Sequence, residues 1–260
     1  MNMRFQDRTV IITGAAGGIG RRAAARFAEE GACLTLVDRS LADLIRTREK
    51  LGLSDLRCLC VQADISDETA VRKFVKDTVT RFERLDVMFN NAGIIGASAR
   101  LADFPAESMR TVLNVNVMGT FFGMKYALQA MVPAGQGVII NTCSISGCRG
   151  MPDTAAYVAS KHAIMGMTRS TAVEYAKSGI RVCAVCPSPV ATTMMQAVED
   201  GMVNMGLESR ETIRDKLVSP IPMGRYATAD EVVSAAMFLA SDEASFITGS
   251  AIMVDGAFTA

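Results

Sequence analysis

Tyr157 and Lys161 stand four residues apart in the stretch SISGCRGMPDTAAYVASK, and Ser144 stands thirteen residues before the tyrosine. A spacing of four puts two side chains on one face of a helix. A phenol is a poor base at neutral pH, with a free pKa of about 10. An ammonium within a few ångströms stabilises the phenolate. Bringing a phenol to about 7 takes roughly 4 kcal/mol, which a lysine and a cationic nicotinamide ring can supply together. A serine hydroxyl beside the phenol can hold a carbonyl or alcohol oxygen. The three residue types suit proton transfer in carbonyl–alcohol interconversion.

A second cluster lies near the start of the chain. The apolar run TVIIT leads into Gly14-Ala15-Ala16-Gly17-Gly18-Ile19-Gly20, and a helical pattern follows. Glycines let the backbone turn tightly and approach a pyrophosphate, whose charge a helix N-terminus favours. Asp38 closes the next apolar run, eighteen residues after Gly20. A carboxylate there accepts both ribose hydroxyls and repels a 2′-phosphate. Arg39 follows and tolerates a phosphate, but Gly17 offers no second basic group. NAD is therefore favoured over NADP.

These groups need a scaffold. Strands are expected near 9–13, 33–38, 56–63, 86–90, 136–143, 180–186 and 250–254, and helices over 18–30, 41–51, 67–83, 104–131, 154–178 and 228–240. CLTLVD and GVIINT are nearly continuous apolar runs, as in a parallel sheet covered on both faces. The alternation predicts an α/β fold: one doubly wound, seven-stranded parallel sheet with helices on both faces and right-handed crossovers. No linker or repeat divides it, so residues 1–260 read as a single domain. The exception is 191–218, which holds four methionines and reads as one or two short amphipathic helices. Two readings stand: ordinary helices packed on the core, or a lid over the substrate, since methionine adapts to varied apolar ligands.

The 260 residues carry no formal net charge, which argues against nucleic-acid and anionic-membrane partners. The polar opening MNMRFQDRTV runs straight into a strand, so no secretory signal is expected, and no apolar run approaches the ~18 residues of a membrane span. Seven cysteines, an odd number in a chain of this size, point to a reducing cytoplasm. Cys183 and Cys186 are three apart on a strand and should diverge, whereas Cys58 and Cys60 share a face. Two thiols do not make a zinc site, so no metal is expected and the cysteines read as buried and structural. His162 adjoins Lys161, faces away from Tyr157 and cannot complete a serine–histidine triad. Asn116 interrupts a helical pattern with a poor helix former, which marks it as functional. Gly119 and Gly123, four apart, suggest close helix packing.

TGAAGGIG at 13–20, NNAG at 90–93 and YVASK at 157–161, in this order, resemble the short-chain dehydrogenase/reductase family over essentially the whole chain. The resemblance implies a Rossmann-type domain and assigns roles by position. Gly14, Gly18 and Gly20, with Ile19, match the phosphate turn. Asp64, with Ile65, matches the acidic residue meeting the adenine amine. Asn90, Ala92 and Gly93 match the end of the fourth strand, which stabilises the sheet and lines the cofactor. Asn116 matches the asparagine of a proton relay. Ser144 orients substrate, Tyr157 is the acid/base, and Lys161 lowers the tyrosine pKa and contacts the ribose. Pro187, Val190 and Thr192 match the segment around the nicotinamide half. Three departures stand out: Pro187-Ser188-Pro189 for the usual PG, Cys143-Ser144 for two serines, and Asp255-Gly256-Ala257 for DGG, which reads as a mild change. A homotetramer through 104–131, 154–178 and the C-terminal strand is also implied.

The expected substrate wall comprises Ile94, Ile95, Ile145, Met151, Ser188 and the methionine-rich segment, with Met194 and Met195, around Ser144 and Tyr157. Its few cations disfavour phosphorylated substrates. The expected reaction is NAD-dependent interconversion of a small, largely apolar secondary alcohol, cyclic ones included, and its ketone. The alternatives are an NADP(H)-dependent 3-oxoacyl thioester reductase, an NAD(H) sensor without turnover, and an epimerase or lyase, whose relatives usually carry a longer C-terminal substrate domain.

Overall fold

The computed structural model describes residues 3–204 and 209–260. Seven parallel strands form one sheet: β1 (Thr9–Thr13), β2 (Cys33–Asp38), β3 (Cys58–Gln62), β4 (Val87–Asn90), β5 (Gly137–Thr142), β6 (Ile180–Pro187) and β7 (Ala251–Val254). Their order is β3-β2-β1-β4-β5-β6-β7. The chain winds outward from β1 in one direction and from β4 in the other, so a crevice opens past the carboxyl ends of these two central strands. The glycine turn follows β1, and Asn90 ends β4.

Every residue of β1 and β4 is buried, because helices cover both faces. On one face Val10, Ile12, Leu34 and Leu36 pack with Phe27 of α1 (Gly18–Glu29) and Met237 of α9 (Ala229–Ala240). On the other, Ile11 and Val37 pack with Phe74 of α3 (Glu68–Phe82) and Met124 of α5 (Gly119–Met131). The remaining helices are α2 (Leu41–Lys50), α4 (Ala106–Val112), α6 (Ala155–Tyr175), α7 (Thr193–Asn204) and α8 (Arg210–Val218). Side chains stop the ends from fraying: Ser40 caps α2, Asp67 caps α3, and Thr228 with Glu231 forms a capping box on α9.

The helix expected over 104–131 is not uniform. Between α4 and α5 the turn at Leu113–Met118 widens to π geometry around Asn116. Such wide turns gather at functional sites, and the buried Asn116 lies within this one. In the methionine-rich stretch two helices form, α7 and α8, as the amphipathic pattern implies; Met205 lies outside the described residues. Cys183 and Cys186 belong to hydrophobic clusters on opposite faces of the sheet, as alternation requires. His162 is exposed and its Nδ1 meets the Val158 carbonyl oxygen at 3.0 Å. A Cβ at Gly119 would approach Ile65 Cδ1 to 2.5 Å, so this glycine permits close packing of α5.

Asp255-Gly256-Ala257 is not a mild change. Asp255 accepts from the backbone of Ala257 and Thr259 and from the Thr259 hydroxyl, which winds the chain into a tight turn. Gly256 has φ +60° and Ala257 has φ +70°. An L-residue in this left-handed region costs about 1–2 kcal/mol. Ala257→Gly should therefore stabilise the chain by about 0.5–1 kcal/mol. Thermal unfolding checks this: a midpoint above that of the parent is expected.

Candidate active site

The glycine turn is tight because side chains have no room in it. Gly14 has φ +66°, and a Cβ there would come within 2.9 Å of Ala92 Cα; a Cβ at Gly20 would strike the Gly14 carbonyl. The turn delivers the chain into α1, whose N-cap is Gly17 and whose first turn has no acidic residue. The N–H groups of Gly18, Ile19 and Gly20 are thus the first, uncapped donors of the helix. Asp38 ends β2 beside this turn. One carboxylate oxygen accepts from Ala16 N at 3.0 Å and the other from Arg39 N at 2.7 Å. A cradle closed to side chains, a bare helix N-terminus and a fixed carboxylate fit the pyrophosphate and ribose of a dinucleotide.

Thr13 and Asn91 hold the turn against β4. The Thr13 hydroxyl accepts from Asn91 N at 3.0 Å and Ala92 N at 3.1 Å, and the Asn91 amide donates to Thr13 O at 3.0 Å. Neither was among the expected site residues, although both lie inside the quoted motifs. Asn90 points the other way. It is buried and donates to Asn141 across β4–β5 at 2.9 Å, and Asn141 donates to Thr168 at 2.9 Å. Asn90 thus ties the sheet together beneath the site. Asp64 takes both Ser66 N and Ser66 Oγ on one oxygen, which holds its carboxyl below the usual range. Ile65 beside it is buried. Thr192 lies over the turn: a Cβ at Gly18 would meet its methyl at 2.6 Å. Val190 is buried in an isolated pairing with Ala227, and Pro187 ends β6 opposite Val254.

At the other side of the crevice, the loop after β5 carries Ser144, and α6 carries Tyr157 and Lys161. Lys161 is only 4% exposed. Its Nζ donates to Thr142 O at 2.9 Å and lies 5.4 Å from the centre of the Tyr157 ring. A Cβ at Gly93 would stand 3.7 Å from the same nitrogen. The ammonium is therefore fixed between the end of β5, the end of β4 and the half-buried tyrosine. Cys143 Sγ donates to Lys161 O at 3.3 Å, packing the loop that carries Ser144 against this helix. The Ser144 hydroxyl accepts from Ser146 N at 3.1 Å.

Asn116 locks the arrangement from below. It is fully buried. Its oxygen accepts from Ile94 N at 2.8 Å, and its amide donates to Ile94 O at 2.8 Å and to Ser160 Oγ at 3.0 Å. Ser160 in turn donates to Tyr157 O at 2.7 Å. One side chain thus joins the loop after β4 to the helix that bears the tyrosine, and the widened turn at Leu113–Met118 is where it projects. Ser160 was not expected. Its signal was present, because a serine three residues after Tyr157 shares a face of the helix with it.

The expected substrate residues are less closely gathered. Ile145 is buried. Met151 is half-buried, and its sulfur accepts from Ser146 Oγ at 3.1 Å. Ile94 and Ile95 are half-buried on the loop held by Asn116. Ser188 is buried and lines a cavity of about 310 Å³ with Met223, Glu231 and Asp255, at the end of β7. Met194 is exposed and Met195 half-buried on α7. The loop after Ser144 carries a cation, Arg149, whose guanidinium stacks 4.9 Å over Phe258 of the C-terminal tail.

A family model described as enoyl-(acyl carrier protein) reductase matches residues 14–259, which takes in the glycine turn, Asn116 and the Ser144–Tyr157–Lys161 set. The chain belongs to the short-chain dehydrogenase/reductase family. Levodione reductase from Leifsonia aquatica is 38% identical over 97% of this chain and 94% of its own. A crystal structure of levodione reductase superposes with a TM-score of 0.92 at 37% identity, covering 97% of this chain and 98% of that one. Cyclohexanol dehydrogenase from an Acinetobacter species is 32% identical over 100% of this chain and 98% of its own. NAD+-bound xylitol dehydrogenase gives a TM-score of 0.91 at 31% identity, covering 97% and 99%.

Proposed function

We propose that this chain oxidises a small, largely apolar secondary alcohol to its ketone, and catalyses the reverse, with NAD as cofactor. The observation that carries the reading is the buried Lys161 ammonium, pinned between Thr142 O and the Tyr157 ring. A buried ammonium beside a phenol is what a tyrosine base needs. Bound NAD supplies a hydride acceptor. Gly14, Gly18, Ile19 and Gly20 would hold its pyrophosphate, and Asp38 its adenosine ribose. Ser144 positions the substrate oxygen, and Tyr157 Oη takes the hydroxyl proton in oxidation and returns it in reduction. Lys161 holds charge at that oxygen, and Asn116 keeps the helix and the Ile94 loop in register. The cyclic substrates named for levodione reductase and cyclohexanol dehydrogenase support a cyclic alcohol, and the wall of Ile94, Ile95, Ile145 and Met151 gives it an apolar seat.

In this reading α7 and α8 form a lid, a role the adaptable Met194 and Met195 suit. The seven unpaired cysteines suit a reducing cytoplasm, and exposed Phe121, Val132 and Val173 suit burial in a homotetramer. Sedimentation as a monomer would overturn the assembly.

The test is a kinetic screen with NAD and NADP against cyclic and acyclic secondary alcohols, followed by nicotinamide absorbance. Turnover of cyclic alcohols with NAD is expected. Turnover of 3-oxoacyl thioesters alone, or cofactor binding without turnover across the panel, would overturn the reading. Asp38→Ala adds a sharper check on the cofactor. It should raise the KM for NAD by about tenfold and narrow the preference for NAD over NADP, because the ribose loses its acceptor while the repulsion of a 2′-phosphate disappears.

A further inference from the structure

Strand β3 is the edge of the sheet, and it carries two thiols on one face. Cys58 is buried among Leu34, Leu36 and Leu44, and Cys60 packs against the same cluster while remaining half-exposed. Both open on a cavity of about 400 Å³ between β3 and α2, which Ile45, Arg48, Asp55 and Arg81 also line. This cavity lies apart from the catalytic crevice.

Its chemistry is asymmetric. Cys58 shares a hydrogen bond with Cys60, which holds the Cys60 thiol below its ordinary range. The same bond and burial hold Cys58 above its own, so Cys58 keeps the proton. Arg48 favours the Cys60 thiolate and Asp55 opposes it. Arg48 pairs with the Asp55 carboxylate, and Arg81 donates to the Asp55 carbonyl at 2.9 Å. The cavity thus presents one partly exposed sulfur on a wall that also carries Arg48, Asp55 and Arg81. Two guanidinium groups against one carboxylate leave that wall net cationic, which favours a reagent bearing carboxylates over a cationic one.

We infer that Cys60 is a modification site for small disulfides that carry carboxylates, and that its modification weakens cofactor binding. The Cys60 thiolate attacks one sulfur of the disulfide. A new S–S bond forms, the reagent's S–S bond breaks, and its other half leaves as a thiolate that takes a proton from water. Cys60 sulfur is oxidised and the departing half is reduced.

The consequence follows from register. Cys60 pairs with Leu36, and Gln62 with Asp38. Gln62 donates to Arg39 O at 3.0 Å, and Ala63 N donates to Asp38 O at 3.0 Å. A peptide-sized adduct between β3 and α2 presses on the residues that aim Asp38 at the ribose. This second clause rests on the proposed reading of Asp38; the labelling itself does not.

The experiment treats the full chain with glutathione disulfide, maps the adducts by peptide mass spectrometry and titrates NAD. Cys60 should be modified before the exposed Cys148, the Kd for NAD should rise several-fold, and a thiol reductant should reverse both. C60S should bind NAD as the untreated parent does, and treatment with the reagent should leave that affinity unchanged. The cationic disulfide cystamine should label Cys60 more slowly. Labelling confined to Cys148, or cystamine reacting as fast, would overturn the site. Labelling at Cys60 with unchanged NAD affinity would overturn the coupling. Failure of the untreated chain to bind NAD would instead sink the cofactor reading, with the labelling result intact.

Discussion

Tyr157→Phe is expected to lower kcat by a factor on the order of 10²–10⁴ and to leave NAD binding and thermal stability unchanged. In barrier terms this is roughly 3–5 kcal/mol. The substitution keeps the ring, so the contact with Lys161 Nζ, 5.4 Å from its centre, survives. The backbone oxygen that accepts from Ser160 also stays. What disappears is the hydroxyl that moves the proton. The tyrosine is half-buried, so no buried polar partner is stranded and the fold has no reason to weaken. Steady-state kinetics on a reactive alcohol, with cofactor titration by nicotinamide fluorescence, separates chemistry from binding. A variant within about tenfold of parental kcat would remove Tyr157 from the proton transfer.

The same contrast explains what was legible in the chain. The glycine turn, Asp38 and the four-residue step from Tyr157 to Lys161 are local patterns, and each carries a rule that ties spacing to geometry. The strands were legible because buried parallel strands read as unbroken apolar runs. What escaped is contact between segments far apart in the chain. The Thr13 hydroxyl meets Asn91 and Ala92, nearly eighty residues on, and no periodicity announces it. Ser160 bridges Tyr157 to Asn116, a residue 44 positions away in the chain. The left-handed Ala257 was hidden because alanine is the residue least expected there. Ser188 was expected at the substrate wall, and in the structure it lines a cavity at the end of β7. Its placement depends on how β6 and β7 end side by side.

Asn116→Asp should be the most damaging single-atom-scale change in the chain. The side chain has no exposed surface and makes three bonds, two of them through its amide nitrogen. Replacing that nitrogen with oxygen sets an acceptor against the Ile94 carbonyl, where 2.8 Å now separates donor from acceptor. Ser160 gives no relief, because its hydroxyl already donates to Tyr157 O. A buried polar group left unsatisfied costs about 1–3 kcal/mol, and an ionised one more, so a loss of about 3–5 kcal/mol is expected. The introduced carboxyl escapes part of this by protonating, which raises its folded-state pKa above the free value of about 3.9. The sign follows: relative to the parent, the deficit is smallest below about pH 4, where the group is protonated folded or unfolded, and grows as pH rises through the raised folded pKa. Activity should fall as well, since the Ile94 loop and the tyrosine helix lose their common anchor. Denaturant unfolding of both proteins across pH 4–8, with kcat in parallel, checks this. A parental unfolding midpoint and kcat in N116D would show that the asparagine neither holds the loop nor serves the site. Asn116→Ala separates the two causes. It removes the same three bonds but buries no opposing charge, so it should be destabilised independently of pH.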